Sequence, residues 1–221
     1  MRDKIVRAGK QKMRGNVNQN LILLISSIIM LTIMLGCTTP IIFDEYSSTV
    51  ISSYGLSLTL SLASTTYDPG EQISVTIEER NTLATDNNIP VANGWPVQGL
   101  NLGPCDTVYP FGISILRGYY DAKGLVAITP LQLFDPNLVP PCAPILPAVL
   151  YDFQPRSDVA AIYTSYDSEP SSIDMTANVT SAGFWTGSPP NASFIHFTPG
   201  IYTVVGGDEW GALTVLHFTV S

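Results

Sequence analysis

Side chains that could carry chemistry are sparse in this chain, which has two histidines and three cysteines among 221 residues. A hydrolytic triad needs a histidine close to a nucleophile and an acid. His196 and His217 both lie near the C-terminus, and no serine has the Gly-x-Ser-x-Gly context of a nucleophile elbow. Asp208 and Glu209 are adjacent, so an extended backbone points their carboxylates apart instead of across a scissile bond. The sequence therefore predicts no catalytic residues and no enzyme activity.

The best candidate for binding is the stretch Gly206–Gly211, which joins the last two predicted strands. It places Asp208, Glu209 and Trp210 between glycines. Binding residues concentrate on connecting loops that a rigid scaffold holds in position. Two interpretations stay open, because Trp210 can either belong to an exposed binding surface or close the end of the fold.

The three cysteines divide into one at the end of an apolar segment and two in the remainder of the chain. Cys37 ends the apolar segment, and Cys105 and Cys142 follow far downstream. An unaccompanied pair in an oxidising compartment is expected to form a disulfide. Neither cysteine has a second cysteine or a histidine nearby in the sequence, as a metal site would need. The sequence predicts no metal site and no cofactor.

Membrane attachment is predicted by the first 43 residues. Residues 1–20 hold six of the ten basic residues and a single acid, a charge bias typical of a cytoplasmic leader. Residues 21–43 are mostly apolar, and about 17 to 25 such residues are needed to span a bilayer. Two alternatives remain: an uncleaved signal anchor, or a lipoprotein-type signal cleaved before a lipidated Cys37. In both, residues 54–221 form an extracytoplasmic domain, and residues 44–53 form a polar stalk.

The exported part is strongly acidic. After Cys37 the chain has four basic and seventeen acidic residues, a formal charge of −13. Such a surface repels phosphate backbones and anionic lipid headgroups, so nucleic acid is excluded as a partner. The membrane and an unidentified protein or glycan remain. Asn178 and Asn191 each begin an Asn-x-Ser/Thr tripeptide, the acceptor for N-glycosylation.

Alternation of apolar and polar residues predicts several β-strands. The pattern is regular over Gly55–Ala63 and again over the final segment Ala212–Val220. All seventeen prolines follow Cys37, which is typical of a loop-rich β protein. Residues 79–96 and 158–174 are predicted to be loops. Other predicted strands are residues 73–77, 97–102, 111–117, 125–128, 131–134, 149–153, 175–185 and 201–205.

The sequence around Tyr202 resembles two known families of β-sandwich. A tyrosine two places after Pro-Gly resembles the corner tyrosine of immunoglobulin-like domains. The motif Phe197-Thr-Pro-Gly-Ile-Tyr202 is also similar to the end of cupredoxins, where a Cys, a His and a Met that bind copper follow the motif. This chain has Gly206, Glu209 and Trp210 there, so no thiolate stands beside two imidazoles. We therefore expect the scaffold without the copper site.

A second resemblance covers most of the exported part. Residues 55–221 resemble a family of uncharacterised membrane-anchored proteins of archaea and bacteria. The motifs that carry this resemblance are Trp95–Cys105, Gly118–Tyr120, Tyr151–Pro155, Tyr202–Gly211 and Leu216–Val220. It implies an extracytoplasmic, membrane-tethered domain and supplies no activity.

The sequence as a whole predicts an all-β, immunoglobulin-like β-sandwich behind a single N-terminal helix. As a function we expect a binding or envelope structural module without catalysis. An alternative from another class is a metal-handling or redox-accessory protein of cupredoxin-like fold, and a third is an inhibitor that blocks a protease with an exposed loop.

Overall fold

The computed structural model describes residues 46–104, 109–125, 129–138, 147–165 and 169–221. Cys37, Cys105 and Cys142 lie outside these residues, as do the predicted leader and anchor, so lipidation and the disulfide stay predictions. No described residue belongs to a helix long and apolar enough to cross a bilayer.

The described residues are all-β, with fourteen strands and no helix. In chain order the strands are β1 (Ser47–Ile51), β2 (Leu56–Leu62), β3 (Thr66–Tyr67), β4 (Ile73–Asn81), β5 (Asn87–Pro90), β6 (Phe111–Arg117), β7 (Ala148–Phe153), β8 (Val159–Thr164), β9 (Ser171–Asp174), β10 (Thr176–Ser181), β11 (Gly183–Thr186), β12 (Ser193–His196), β13 (Gly200–Asp208) and β14 (Leu213–Val220).

These strands form three four-stranded sheets and one hairpin. The first sheet has the order β1-β2-β4-β10, the second β3-β14-β13-β6 and the third β5-β7-β8-β9, while β11 pairs with β12. The pairings are antiparallel except for the short parallel pair of β3 with β14. Five of the ten pairs join strands that are consecutive in the chain, namely β1 with β2, β7 with β8, β8 with β9, β11 with β12 and β13 with β14, as antiparallel pairing over short connections allows.

The main core lies between the first two sheets and extends to the third. Every second residue of β2 and β4 is buried, which places the leucines of β2 and the isoleucines of β4 on one inner face. Gly206 of β13 lies opposite them, and a Cβ added there would be 3.1 Å from Leu60 Cδ1 and 3.3 Å from Ile77 Cδ1. The glycine thus lets the two sheets pack closely at this point.

Strands β6 and β13 of the second sheet are buried on both of their faces. Phe111, Ile113 and Ile115 of β6 face the main core, whereas Leu116 and Val205 face the other way and pack with Leu125 in a separate small cluster. A layer of loops therefore covers the outer face of β6 and β13. This explains why six successive residues of β6, 111–116, are buried, whereas in a strand with one covered face every second residue would be exposed.

Tyr202 fixes the entry into β13. Its side chain is fully buried and stacks on Phe218 with ring centroids 5.1 Å apart. Its hydroxyl donates to the Thr198 carbonyl at 2.9 Å and accepts from the Thr198 N–H at 3.1 Å. A buried tyrosine hydroxyl needs such partners, and here both lie four residues upstream.

Several predicted boundaries were wrong. Ser47–Ile51 of the predicted stalk are strand β1, because their polar side chains pair with those of β2: Thr49 with Thr59 and Ser47 with Ser61. The predicted loop over 158–174 contains β8 and β9, since Ala160 and Ile162 reach the core. The predicted loop over 79–96 contains the end of β4 and all of β5.

Three other segments also differ from expectation. Residues 97–102 and 131–134, predicted as strands, make only the isolated bridges Asn101 to Ile113 and Gln132 to Trp185. The single strand predicted over 175–185 is divided into β10 and β11. Residues 126–128 of another predicted strand lie outside the described residues.

We predict that Tyr202→Phe destabilises the fold by about 1 to 2 kcal/mol, because it removes both hydroxyl bonds to Thr198 and leaves buried backbone groups unpaired. Urea unfolding of the full-length chain measures this change. Tyr46→Phe is the control, since Tyr46 is 52% exposed. Equal stability of the two variants would contradict the role assigned to the Tyr202 hydroxyl.

Candidate functional site

Asp208 is the last residue of β13, and its side chain points into the interior. The predicted loop Gly206–Gly211 is in fact strand up to Asp208, which is fully buried. Its Oδ1 accepts the backbone N–H groups of Trp210 at 2.9 Å and Ala212 at 2.7 Å, which closes the turn into β14. Its Oδ2 is buried and has no hydrogen-bond partner. Burial raises the pKa of this carboxyl, and the backbone N–H groups partly oppose the rise.

Glu79 approaches Asp208 from the opposite sheet. It occupies an inner-face position of β4, continuing the series of buried residues Ile73, Val75 and Ile77. It is 0% exposed, and neither Oε1 nor Oε2 has a hydrogen-bond partner. Burial raises the pKa of the Glu79 carboxyl well above its usual value, and the negative charge of Asp208 raises it further.

Glu209 is the third buried carboxyl at this end of the fold. Its backbone N–H donates to the Pro110 carbonyl at 2.7 Å, and its own carbonyl accepts the Gly94 N–H at 2.7 Å. Burial and the charge of Asp208 raise the pKa of the Glu209 carboxyl to about 7, against a partial lowering by the Ala92 backbone N–H. Glu79, Asp208 and Glu209 are called the carboxyl cluster below.

Trp210 lies at the boundary between the carboxyl cluster and the third sheet. Its Nε1–H donates to the Pro90 carbonyl at 2.9 Å, and its ring meets those of Tyr151 and Phe153 edge-on at 5.6 and 6.2 Å. Trp210 is only partly exposed, and both acids beside it are buried. The structure therefore brings the three predicted binding residues together at an inward-facing end, not at an exposed loop tip. The interpretation in which Trp210 closes this end of the fold agrees with these contacts.

Trp210→Phe is predicted to cost about 1 kcal/mol of stability, because the aromatic contacts remain but the hydrogen bond from Nε1–H to the carbonyl of the exposed Pro90 is lost. Thermal unfolding of the full-length chain checks this. Trp95→Phe provides the matched control, since Trp95 is 37% exposed and makes no side-chain hydrogen bond in the described structure. A neutral Trp210→Phe change would argue that the Nε1 bond is not formed.

A groove lies on the outer face of the second sheet. It has a volume of about 760 Å³, within the range of roughly 300 to 1,000 Å³ typical of ligand sites. Its floor is formed by Ser114 and Leu116 of β6 and Val205 of β13. Its walls are residues 95–99 on one side and Leu125, Thr129 and Pro130 on the other. A smaller hollow of about 190 Å³ extends it past Asn101 and Gln132.

The described residues that line this groove are uncharged, and several of them have hydrogen-bonding side chains without a partner. Trp95, Gln98, Ser114 and Thr129 contribute an indole N–H, an amide and two hydroxyls. Within the described part of the chain, none of these four side chains makes a hydrogen bond. Ser114 is only 4% exposed. Its hydroxyl belongs to the lining of the groove and has no partner among the described residues, so a ligand that hydrogen-bonds with it would gain affinity.

The histidines are placed apart from both sites. His217 Nε2 contacts the Tyr120 carbonyl at 3.0 Å and its ring stacks on Tyr119, so loop residues cover it. His196 is exposed in β12 beside the Ala182 carbonyl. Among the described residues, no group of three or more His, Cys, Asp or Glu side chains is arranged to hold a metal ion.

The two predicted glycosylation acceptors are accessible. Asn178 is exposed on β10, where its Oδ1 accepts the Ser74 hydroxyl at 3.0 Å, and Asn191 is exposed in the turn before β12. Glycosylation of either residue stays a prediction.

No protein-family model matches the chain, and a search of curated proteins finds no significant match.

Both main features of the site were missed from sequence. Glu79 was assigned to a loop, although the spacing of Ile73, Val75 and Ile77 already placed it on the inner face. The groove had a weaker signal in β6, where the adjacent apolar residues Ile115 and Leu116 must face opposite sides of the strand, which indicates a covering layer. Nothing in the sequence indicated that this layer would leave a groove open.

Proposed function

We propose that this chain is a membrane-tethered, extracytoplasmic binding module with an immunoglobulin-like β-sandwich and no catalytic activity. The observation that carries the proposal is the groove on the second sheet, with its uncharged and unsatisfied polar lining. Two face-packed antiparallel sheets and the Tyr202 hydroxyl bonded to Thr198 support the immunoglobulin-like assignment. The basic leader and apolar residues 21–43 support attachment to the membrane with the domain outside.

The chemistry of the groove favours a neutral, hydroxyl-rich ligand with one apolar face, which is the chemistry of a saccharide. Trp95 offers an aromatic surface for the apolar face of a sugar ring, and Gln98, Ser114 and Thr129 offer hydrogen bonds to hydroxyl groups. None of the described residues that line the groove is charged, and the acidic exported part repels anionic ligands. A purely apolar ligand would leave the Ser114 hydroxyl buried and unpaired.

A peptide that adds as a β-strand fits this region less well. Strand β6 is an edge strand of the second sheet, and the groove lies on the sheet face beside it. Asn101 already exchanges two backbone bonds with Ile113, and the Leu131 N–H donates to the Ile115 carbonyl. The hydrogen-bonding groups that an added strand would need are therefore occupied along this part of the edge.

The decisive experiment measures binding of the full-length chain, in mild detergent, to a panel of neutral and anionic oligosaccharides. We expect binding to neutral members, and Trp95→Ala to weaken it at least about tenfold through loss of the stacking surface. Tyr54→Ala is the control, because Tyr54 is an exposed aromatic residue outside the groove.

Other outcomes would overturn parts of the proposal. Binding that Trp95→Ala leaves unchanged would exclude the groove as the site, and binding to anionic members alone would contradict the ligand class. Stoichiometric copper in the purified protein would favour the metal-handling alternative, and inhibition of a protease would favour the inhibitor.

A further inference from the structure

The carboxyl cluster contains more buried acceptors than donors. Four oxygens of the cluster, both from Glu79, Oδ2 of Asp208 and Oε1 of Glu209, are buried without a hydrogen-bond partner. An ionised carboxylate only accepts hydrogen bonds, so two carboxylates that face each other cannot satisfy one another. A single added proton changes this, because a protonated carboxyl donates.

No positive charge compensates the cluster within the described structure. The four basic residues there, Arg80, Arg117, Lys123 and Arg156, are all exposed. On β4, Glu78 and Arg80 flank Glu79 but lie on the opposite face. On β7, the buried Tyr151 faces Glu209, and Asp152 lies on the other face of that strand. Strands β2 and β5 contribute no titratable side chain.

We propose that Glu79 holds a proton that it donates to Asp208, and that this shared proton keeps the cluster closed and the Trp95-bearing loop in place. Asp208 is the member that stays ionised, since two backbone N–H groups already bond its Oδ1. The proton lies between the unpaired oxygens of Glu79 and Asp208, because a buried site cannot hold both carboxyl groups ionised.

The cluster is connected to the groove through Glu209 and Gly207. The Gly94 N–H bonds the Glu209 carbonyl at 2.7 Å, and the next residue is Trp95. On the outer face, a Cβ at Gly207 would lie 3.0 Å from Pro96 Cγ, so the loop rests directly on β13. Loss of the protons from Glu79 and Glu209 would add negative charge beside the ionised Asp208, and the repulsion would separate the end of β13 from its neighbours and release this loop. The inference rests on the proposed function only in calling the groove a binding site.

The direction of the pH dependence follows from burial. The folded state binds protons at Glu79 and Glu209 more tightly than the unfolded chain, whose glutamates titrate near pH 4.3. Stability from the cluster is therefore complete in acid and is lost as the pH rises through the folded pKa values, about 7 for Glu209. Binding at the groove should weaken over the same interval.

Hydrogen exchange on the full-length chain tests this without any ligand. Protection factors, corrected for intrinsic exchange, are compared at about pH 5 and pH 8.5. We expect residues 92–97 and the turn after Asp208 to lose about tenfold or more in protection at the higher pH. Glu79→Gln should remove most of this loss, because its amide donates to Asp208 at every pH. Glu78→Gln, the neighbour on the opposite face, should behave as the unmodified chain does.

Two results would overturn the inference. Equal protection of the unmodified chain at both pH values would show that no proton holds the cluster, and this measurement does not depend on whether Glu79→Gln folds. Recovery of protection at pH 8.5 on adding Ca²⁺, reversed by a chelator, would assign the cluster to a cation instead. Failure of saccharide binding leaves these readouts unaffected, so the two proposals fail separately.

Discussion

The carboxyl group of Asp208 is the constraint around which this end of the fold is arranged. One oxygen closes the turn between the two longest neighbouring strands of the second sheet, while the other is committed to the interior. A turn stabilised in this way exposes no backbone N–H to the core, so β13 and β14 can remain paired to their ends. The cost is a buried carboxyl group near a second buried carboxyl group, that of Glu79 on the facing sheet. Trp210, the third sheet and the loop before Trp95 all pack around that arrangement.

A second constraint is that β13, a central strand of the second sheet, is buried on both of its faces over most of its length. Gly206 allows close approach of the first sheet, and Gly207 allows close approach of the covering loop through Leu100 and Pro96. Two adjacent glycines therefore serve the two opposite faces of one strand. Because loops and not a further sheet form the outer layer, their irregular packing leaves the groove between residues 95–99 and Thr129. The proposed binding surface is thus a consequence of how the outer face is covered.

Strands with strict alternation and a single buried face were predictable, and β2, β4 and β14 follow the pattern at nearly every position. The errors occurred where burial was not reflected in alternation. Strand β1 is mostly polar and is held by hydroxyl pairs along an edge, and β8 uses small residues such as Ala160 that also occur in loops. Gly206 and Gly207 suggested a flexible connection. In the structure they lie in strand β13, where the absence of a side chain allows close packing.

The sequence by itself determined the all-β class, the inner faces of the strongest strands and the acidic character of the part beyond Cys37. Alternation and composition are properties of the local sequence, so they do not depend on which strands pair. Only the tertiary structure decided that the buried Glu79 lies within electrostatic range of Asp208, that the Glu209 carbonyl bonds Gly94 in the loop before Trp95, and that Ser114 lies without a described partner in the lining of a groove. Those contacts join residues far apart in the chain, so their chemistry depends on which sheets face one another and how closely they pack.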